Sequence, residues 1–221
     1  MRSKFDEQLA ALNVSLIKMG NLCENAINLA VATLTENNKR LIKEVNENEQ
    51  EIDNIEREIE DLCLKLLLRQ QPVAKDLRMI SSALKMISDM ERIGDQAADI
   101  AEISKYVKGT NIKDNTHIMN MGEATINMVR DSIKSFVEKD LALAYKVMEY
   151  DDVVDERFDQ VKCEIVENIA DNRDSAESGL DLLMIAKYFE RIGDHAVNIS
   201  EWVEFSITGN HSRSDEIEIF K

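Results

Sequence analysis

Residues that interrupt helices are rare in this sequence: its 221 residues contain one proline, Pro72, and seven glycines. Proline and glycine are the residues that most strongly end or weaken a helix, so long uninterrupted helices are predicted and strands are not. Residues 3–36 show the pattern of such a helix, because apolar residues recur there at alternating spacings of four and three. These residues are Phe5, Leu9, Leu12, Leu16, Met19, Cys23, Ala26 and Ala30.

The fold class predicted from this pattern is all-α, with six long antiparallel helices arranged as two tandem repeats of a three-helix bundle. Apolar periodicity places the helices at about residues 3–36, 38–69, 72–107, 114–138, 140–170 and 174–207. The first repeat then covers residues 1–109, the second covers residues 110–209, and residues 210–221 form a short polar tail. Pro72 is expected in the first turn of the third helix, and Gly109 is expected to end that helix.

One acidic segment occurs twice. ERIGDQAADIAE at residues 91–102 returns as ERIGDHAVNISE at residues 190–201, 99 residues later. On the third helix, an apolar row that runs from Val73 to Ile87 becomes acidic at residue 91. Residues four apart on a helix lie one turn above each other, so each row presents oxygen ligands in one direction. The polar residues of the two rows are Glu91, Asp95, Asp99 and Glu102 in the first repeat, and Glu190, Asp194, Asn198 and Glu201 in the second.

The second helix of each repeat supplies a facing acidic pair. Glu49 and Asp53 lie four apart in the first repeat, and Asp151 and Asp155 take the matching places in the second. If the second and third helices form an antiparallel hairpin with its turn near residue 71, Asp53 and Glu91 stand at one level. Four to six converging carboxylates are typical of a site for a hard cation or for iron.

Two features of the repeated segment oppose helix formation. Carboxylates four residues apart repel each other, and a glycine inside a helix, such as Gly94 or Gly193, costs about 1 kcal/mol relative to alanine. Because both features occur together in both repeats, a ligand or contact that compensates for their cost is predicted. Gly94 is expected to let a metal or another backbone approach the helix closely. The same residues also fit a salt-bridged surface, in which Arg92 and Arg191 neutralise neighbouring carboxylates.

The sequence contains no recognisable catalytic constellation. It has no glycine-rich phosphate loop, no Ser or Cys nucleophile beside a His, and no E-x-x-H pair of the kind found in di-iron oxygenases. His195 stands where the first repeat has Gln96, so an imidazole ligand common to both sites is not expected. The protein is therefore not expected to be an enzyme. A carboxylate-bridged metalloenzyme and a purely structural helical scaffold stay open as alternatives.

The charge balance argues against two classes of direct ligand. With 27 Lys and Arg against 43 Asp and Glu, the formal net charge is −16, so neither bare nucleic acid nor an anionic membrane surface is an expected partner. Cys23, Cys63 and Cys163 fall inside helical apolar patterns and are expected to be buried, reduced thiols. The N-terminus does not have the pattern of a secretory signal, and no apolar run is long enough to span a membrane. A cytoplasmic protein is expected.

Two long segments carry a resemblance to a known family. They are RQQPVAKDLRMISSALKMISDMERIGDQAADIAE and LLMIAKYFERIGDHAVNISEWV. These segments closely resemble the PhoU family of phosphate-transport regulators, and the resemblance extends over essentially the whole chain as two PhoU-like repeats. Gln96 stands where many members of the family have His, and Asn198 stands where the first repeat has Asp99. The second departure puts equal metal occupancy of the two repeats in doubt.

The resemblance implies a function, cofactors and partners. Members of the family are helical adaptors between the ATPase subunit of the phosphate ABC transporter and a PhoR-type sensor histidine kinase. They limit phosphate uptake and repress the phosphate-starvation response when phosphate is plentiful. They form homodimers and carry multinuclear iron or zinc clusters, with Mg, Mn or Ni as other divalent candidates, and peripheral association with the membrane through partners is an expectation for this chain. The implied ligands are Glu49, Asp53, Glu91, Asp95 and Asp99 for one cluster, and Asp151, Asp155, Glu190, Asp194 and Asn198 for the other.

Overall fold

The computed structural model describes residues 2–36, 38–70, 72–107 and 116–210. Within those residues the chain forms six α-helices and one short 3₁₀ turn, and no strand. The predicted all-α fold of two tandem three-helix bundles is confirmed, and each helix begins and ends within four residues of its expected bounds. The helices are α1 (Arg2–Thr35), α2 (Lys39–Gln70), α3 (Ala74–Ile103), α4 (Thr116–Glu138), α5 (Leu141–Asp171) and α6 (Ala176–Thr208), and the 3₁₀ turn spans Arg173–Ser175.

The two bundles share one continuous apolar core. In the first repeat α1 packs against α2 and α3, and in the second α4 packs against α5 and α6. Between the repeats, α3 packs along α6 and α1 packs along α4. The contact between α3 and α6 brings the two repeated acidic segments next to each other. The predicted boundary between the repeats, at residues 109 and 110, lies outside the described residues.

Local signals set the ends of two helices in the second repeat. Asp140 caps α5, because its carboxylate accepts a hydrogen bond from the backbone N–H of Leu143 at 3.0 Å. α6 ends at Thr208 and is followed by Gly209, whose φ of 83° is the left-handed conformation that favours glycine. The backbone N–H of Gly209 donates to the carbonyl of Phe205 at 2.9 Å. This turn at Gly209 stops the helix after Thr208.

α3 is shorter than the sequence predicts. Pro72 precedes the helix instead of lying in its first turn, because Val73 keeps an extended backbone and serves as the N-cap. At the other end the chain tightens into a turn in which the N–H of Tyr106 donates to the carbonyl of Ile103 at 2.9 Å. The helix has therefore already ended well before Gly109, which lies outside the described residues.

The prediction that all three cysteines are buried was wrong for one of them. Cys23 and Cys63 are buried, and burial raises the pKa of both thiols to about 12. Cys163 is exposed, although it lies on α5 between the core residues Val161 and Ile165. Residues two apart on a helix face different directions, so an apolar neighbourhood in sequence did not make position 163 a core position.

Helices that could cross a membrane are not among the described elements. No helix within the described ranges combines the length and apolar character that a membrane span requires.

Candidate metal sites

The first group of predicted ligands lies where α2 and α3 pack together. Glu49 and Asp53 on α2 are half-buried, and so are Glu91 and Asp95 on α3. Glu49 lies within electrostatic reach of Asp95, and Glu91 lies within reach of Asp53. Residues earlier in α2 therefore oppose residues later in α3, which is the register predicted for an antiparallel hairpin.

Glu56 is a fifth carboxylate on this surface, and the sequence analysis missed it. It lies three residues after Asp53, on the same side of α2, and it interacts electrostatically with Asp53 and Glu91. The helical spacing of residues 49, 53 and 56 was a signal that could have found it. The sequence analysis selected acidic residues that occur in both repeats, and the second repeat has Phe158 at the place that matches Glu56. We call Glu49, Asp53, Glu56, Glu91 and Asp95 the first acidic face.

Partial burial and neighbouring like charges raise the pKa of several carboxyl groups on the first acidic face. Partial burial is the main cause of the raised pKa of Glu49, Glu56 and Glu91, and the neighbouring carboxylates of Asp53 and Asp95 add to it. A raised carboxyl pKa means that the charged form is held in an unfavourable environment. A cation bound among these groups relieves that cost, so the electrostatics favour cation binding.

Arginine side chains neutralise part of the first acidic face. Arg92 lies 3.2 Å from Asp95 and 3.5 Å from Glu91, and Arg57 lies 3.4 Å from Asp53. The salt bridges expected at Arg92 in the alternative interpretation of this segment are therefore present. Both arginine side chains are largely exposed, so these pairs are weak and exchange readily with solvent.

The second group of predicted ligands repeats this register between α5 and α6. Asp151 interacts electrostatically with Asp194, and Asp155 interacts with Glu190. Burial, followed by the like charges of Asp155 and Asp194, raises the pKa of Asp151 to about 7. The pKa values of Asp155 and Asp194 are also raised, first by partial loss of hydration and then by Glu190. We call Asp151, Asp155, Glu190 and Asp194 the second acidic face.

The glycine within each repeated segment has a different neighbour in the two repeats. A Cβ atom on Gly193 would lie 3.0 Å from Oδ1 of Asp151, so the absence of a side chain lets the Asp151 carboxylate lie against α6. A Cβ atom on Gly94 would lie 3.0 Å from Cδ1 of Ile52. The expectation that a metal or another backbone approaches Gly94 was therefore wrong, because a core side chain of α2 fills that space.

A lysine forms part of the surface around the second acidic face. Nζ of Lys187 lies 2.5 Å from the carboxylate of Glu190. The same Nζ lies 5.5 Å from the centre of the Phe158 ring, within the range of a cation–π interaction. The ammonium group is therefore held from two sides, by a carboxylate and by an aromatic ring.

Asn198, the last predicted ligand of the second cluster, makes its side-chain contact at the α3–α6 boundary. Its amide group donates a hydrogen bond to Oδ1 of Asp89 at 3.1 Å, and Nδ1 of His195 lies 2.9 Å from the same oxygen. The amide nitrogen of Asn198 is therefore engaged with α3 and not with the second acidic face. The sequence analysis did not single out Asp89.

Asp99, the last predicted ligand of the first cluster, makes a related contact. Its carboxylate accepts a hydrogen bond from Tyr188 of α6, and it stays within electrostatic reach of Asp95. Asp89 and Tyr188 are 99 residues apart, the same offset as the repeated segments, so the two bridges occupy matching places. They also show that α3 and α6 run antiparallel, and that Asp99 lies between the first acidic face and the α3–α6 contact.

The two halves of the chain each match one family model. The model of the PhoU domain matches residues 16–104, and it matches again over residues 118–203. The chain belongs to the PhoU family. The first match lies within α1 to α3 and the turn that follows, and the second lies within α4 to α6, so each three-helix repeat corresponds to one PhoU domain. The resemblance stated from the sequence is confirmed.

Two accessory proteins of phosphate transport systems resemble this PhoU-family chain over nearly its whole length. The phosphate-specific transport system accessory protein PhoU homolog 1 of Thermotoga maritima is 35% identical over 211 residues, which are 95% of this chain and 91% of that protein. The phosphate-specific transport system accessory protein PhoU homolog of Clostridium acetobutylicum is 33% identical over 210 residues, which are 94% of this chain and 96% of that protein.

Solved PhoU structures share the fold. The crystal structure of PhoU from Pseudomonas aeruginosa superposes with a TM-score of 0.88 at 32% identity, covering 93% of this chain and 100% of that one. The crystal structure of the phosphate transport system regulatory protein PhoU from Streptococcus pneumoniae gives a TM-score of 0.86 at 26% identity, covering 94% and 98%.

The two acidic faces have the donor chemistry that the metal clusters implied by the PhoU resemblance need. All nine residues of the two faces are carboxylates, and Asp151 is seated where Gly193 offers no competing side chain. Among the residues that the structure describes, no three Asp, Glu, His or Cys side chains are close enough together to hold a metal ion. Basic side chains instead pair with the carboxylates; these are Arg57, Arg92 and Lys187.

Proposed function

We propose that this protein is a metal-binding regulatory accessory protein of a phosphate transport system. In this role it limits phosphate uptake and represses the phosphate-starvation response when phosphate is plentiful. The observation that carries the proposal is the match to accessory proteins over 95% of this chain, and over 91% of the Thermotoga maritima relative. The Streptococcus pneumoniae PhoU of similar fold is named a phosphate transport system regulatory protein, which also supports a regulatory role.

In this proposal the protein acts in the cytoplasm as an adaptor between two partners. One partner is the ATPase subunit of the phosphate ABC transporter, and the other is a PhoR-type sensor histidine kinase. The duplication gives the helical body two related acidic faces, and the formal charge of −16 favours association with basic patches on partner proteins. Two similar faces on one body suit a protein that engages two partners.

Metal binding is the part of the proposal that involves the acidic faces. The residues that would hold a cation most securely are Asp53, Glu91 and Asp95 in the first repeat, and Asp155, Glu190 and Asp194 in the second. A bound iron or zinc ion supplies positive charge and open coordination positions for a carboxylate or phosphate group of a partner. The carboxylates supply the negative charge that retains the cation, and their mutual repulsion without one supports this assignment.

We also propose that the protein is a homodimer. Large apolar side chains that a single chain leaves in solvent favour association, because their burial stabilises a complex. Such side chains lie at the end of α2 and the start of α3, where Leu68 is 83% exposed and Val73 is 66% exposed. Light scattering of the purified protein tests this proposal, since a mass equal to one chain at micromolar concentration would exclude the dimer.

The regulatory role is tested by deletion and complementation in the organism that carries the gene. Deletion is expected to raise phosphate uptake and to switch on starvation-response genes in phosphate-rich medium, and the wild-type gene is expected to reverse both effects. Capture of the transporter ATPase and of the kinase on the immobilised protein tests the adaptor role. Uptake and gene expression that do not respond to deletion would contradict the proposal.

A further inference from the structure

A cavity lies at one end of the molecule, where helices of both repeats meet. It is lined by early turns of α1 and α3 and by the ends of α4 and α6. Within the described residues, α1, α3, α6 and α4 pack in this order around a ring, without close packing of α1 on α6 or of α3 on α4. These two pairs therefore face each other across the cavity. The cavity volume is about 510 Å³, which is within the range of sites that bind small organic molecules.

Apolar side chains form much of the cavity wall. Each of the four helices contributes one large apolar side chain, and these are Leu9, Met79, Phe136 and Ile207. Phe136 belongs to the buried core, and the other three are partly buried and pack against that core. A ligand with an apolar body that covers these side chains removes them from water, which favours binding.

Four charged side chains also line the cavity, two of each sign. They are Asp6, Lys75, Asp76 and Lys139. Among the residues that the structure describes, none forms a salt bridge or a hydrogen bond with these four side chains. Opposite charges around one cavity that do not pair with each other are available to a ligand.

Local structure disfavours both lysines at the places where they stand. Lys75 lies in the first turn of α3, where the helix dipole favours a negative charge such as that of its neighbour Asp76. Lys139 has a φ of 56°, a left-handed conformation that costs free energy in a residue other than glycine. The dipole of α4 favours a cation at this end, but at an exposed position that gain is smaller than the cost of the left-handed backbone. Helix formation therefore does not account for the two lysines, whereas an anionic ligand does.

We propose that this cavity binds an amphipathic organic anion, a molecule with an apolar body and a carboxylate or phosphate group. The apolar body lies against the four apolar side chains, and the positive charges of Lys75 and Lys139 attract the anionic group. Because α1 and α3 belong to the first repeat and α4 and α6 to the second, the bound anion contacts both repeats and stabilises their packing. The cavity shares no residue with the two acidic faces, so this inference does not depend on metal binding.

Isothermal titration calorimetry of the full-length protein in EDTA tests the proposal, with decanoate and decyl phosphate as the probes. At least one of the two anions is expected to bind and to raise the melting temperature. The decylammonium ion has the same apolar chain and the opposite charge, and it is expected to bind at least roughly tenfold more weakly. Failure of both anions to bind, or equal binding of decylammonium, would overturn the proposal. Inorganic phosphate has no apolar body, and binding of it as tightly as of the probes would overturn the proposal too.

A pair of tryptophan variants locates the bound anion. Ala10 lines the cavity, and Ala10→Trp is expected to fill it and to weaken anion binding by roughly tenfold or more. Ala11 is an exposed neighbour on α1 that does not line the cavity, and Ala11→Trp is expected to leave the affinity unchanged. Circular dichroism checks that both variants are folded. Undiminished binding by the Ala10→Trp variant would place the anion elsewhere on the protein and overturn the proposal.

Lysine variants test how the charge is recognised. Lys75→Met is expected to weaken anion binding by roughly tenfold, and Lys85→Met, at an exposed position of α3 away from the cavity, is not. Lys139→Gly is expected to weaken binding without lowering the melting temperature of the ligand-free protein, because glycine adopts the left-handed conformation without strain. Asp6→Asn is expected to tighten binding, since it removes a like charge. Equal affinities of the Lys75 and Lys85 variants, or weaker binding after Asp6→Asn, would overturn the proposal.

Discussion

Replacement of Asp151 by asparagine is expected to stabilise the metal-free protein at neutral and alkaline pH. Asp151 lies against Gly193 on α6 and is surrounded by Asp155, Asp194 and Glu190. Burial and these like charges raise the pKa of its carboxyl group to about 7. Asparagine has nearly the same shape and carries no charge, so it keeps the packing and removes the repulsion.

The magnitude follows from the pKa of Asp151. A rise from 3.8 to about 7 corresponds to an upper limit of roughly 4 kcal/mol at about 1.4 kcal/mol per pKa unit. Asp151 is only half-buried, and solvent screening reduces the effect to on the order of 1–2 kcal/mol. The folded state binds the proton more tightly than the unfolded state, so the wild type loses this stability as the pH rises from about 4 to about 7. The Asp151→Asn variant has no carboxyl group at this position and does not lose this stability.

Urea unfolding in EDTA at pH 8 and at pH 4 measures the difference. The Asp151→Asn variant is expected to unfold at higher urea than the wild type at pH 8, and at nearly the same urea concentration at pH 4. Asp152→Asn, which removes an exposed carboxylate one position along α5, is the control and is expected to give a much smaller change. Equal stability of variant and wild type at pH 8, or a difference independent of pH, would refute the electrostatic account of the second acidic face.

Three further substitutions test how local structure supports the second acidic face, the first acidic face and the start of α5. Gly193→Ala is expected to displace the Asp151 carboxylate and to weaken Mn²⁺ binding at the second acidic face. In Gly94→Ala the new Cβ atom meets the flexible end of the Ile52 side chain, so Mn²⁺ binding at the first acidic face is expected to be kept. Equal effects of the two substitutions in a Mn²⁺ titration would contradict this. Asp140→Ala is expected to lower the free energy of unfolding by about 1 kcal/mol through loss of the α5 cap. Thermal melts beside the exposed control Glu138→Ala measure this loss, and equal melting temperatures would show that the cap contributes nothing.

Much of the fold was predictable because its determinants are local. The scarcity of proline and glycine and the four-and-three spacing of apolar residues fixed six helices to within four residues at each end. The errors at the two ends of α3, which include the largest error in helix bounds, lie where the local backbone conformation sets the first and last residues of the helix. The extended backbone of Val73 starts α3 after Pro72, and a tight turn at Tyr106 ends it early. Neither effect has a periodic signature in the sequence.

The candidate sites were predictable where duplication repeated a helical spacing. The facing pairs Glu49 with Asp95 and Asp53 with Glu91 followed from the hairpin register. Glu56 was missed because its counterpart in the second repeat is not acidic. Contacts between the repeats were also missed, since the partner of Asn198 on α3 depends on how α3 packs along α6, which the sequence pattern of one helix does not encode.

Metal content of the purified protein tests the central claim most directly. After anaerobic purification and loading with iron or zinc, elemental analysis is expected to find metal in the wild type. Glu91→Ala with Asp95→Ala is expected to remove the metal of the first face, Glu190→Ala with Asp194→Ala that of the second, and the combined variant is expected to hold none. Circular dichroism confirms that each variant is still helical. A wild type without bound metal, or a combined variant that retains the wild-type metal content, would contradict the assignment of the two acidic faces as metal sites.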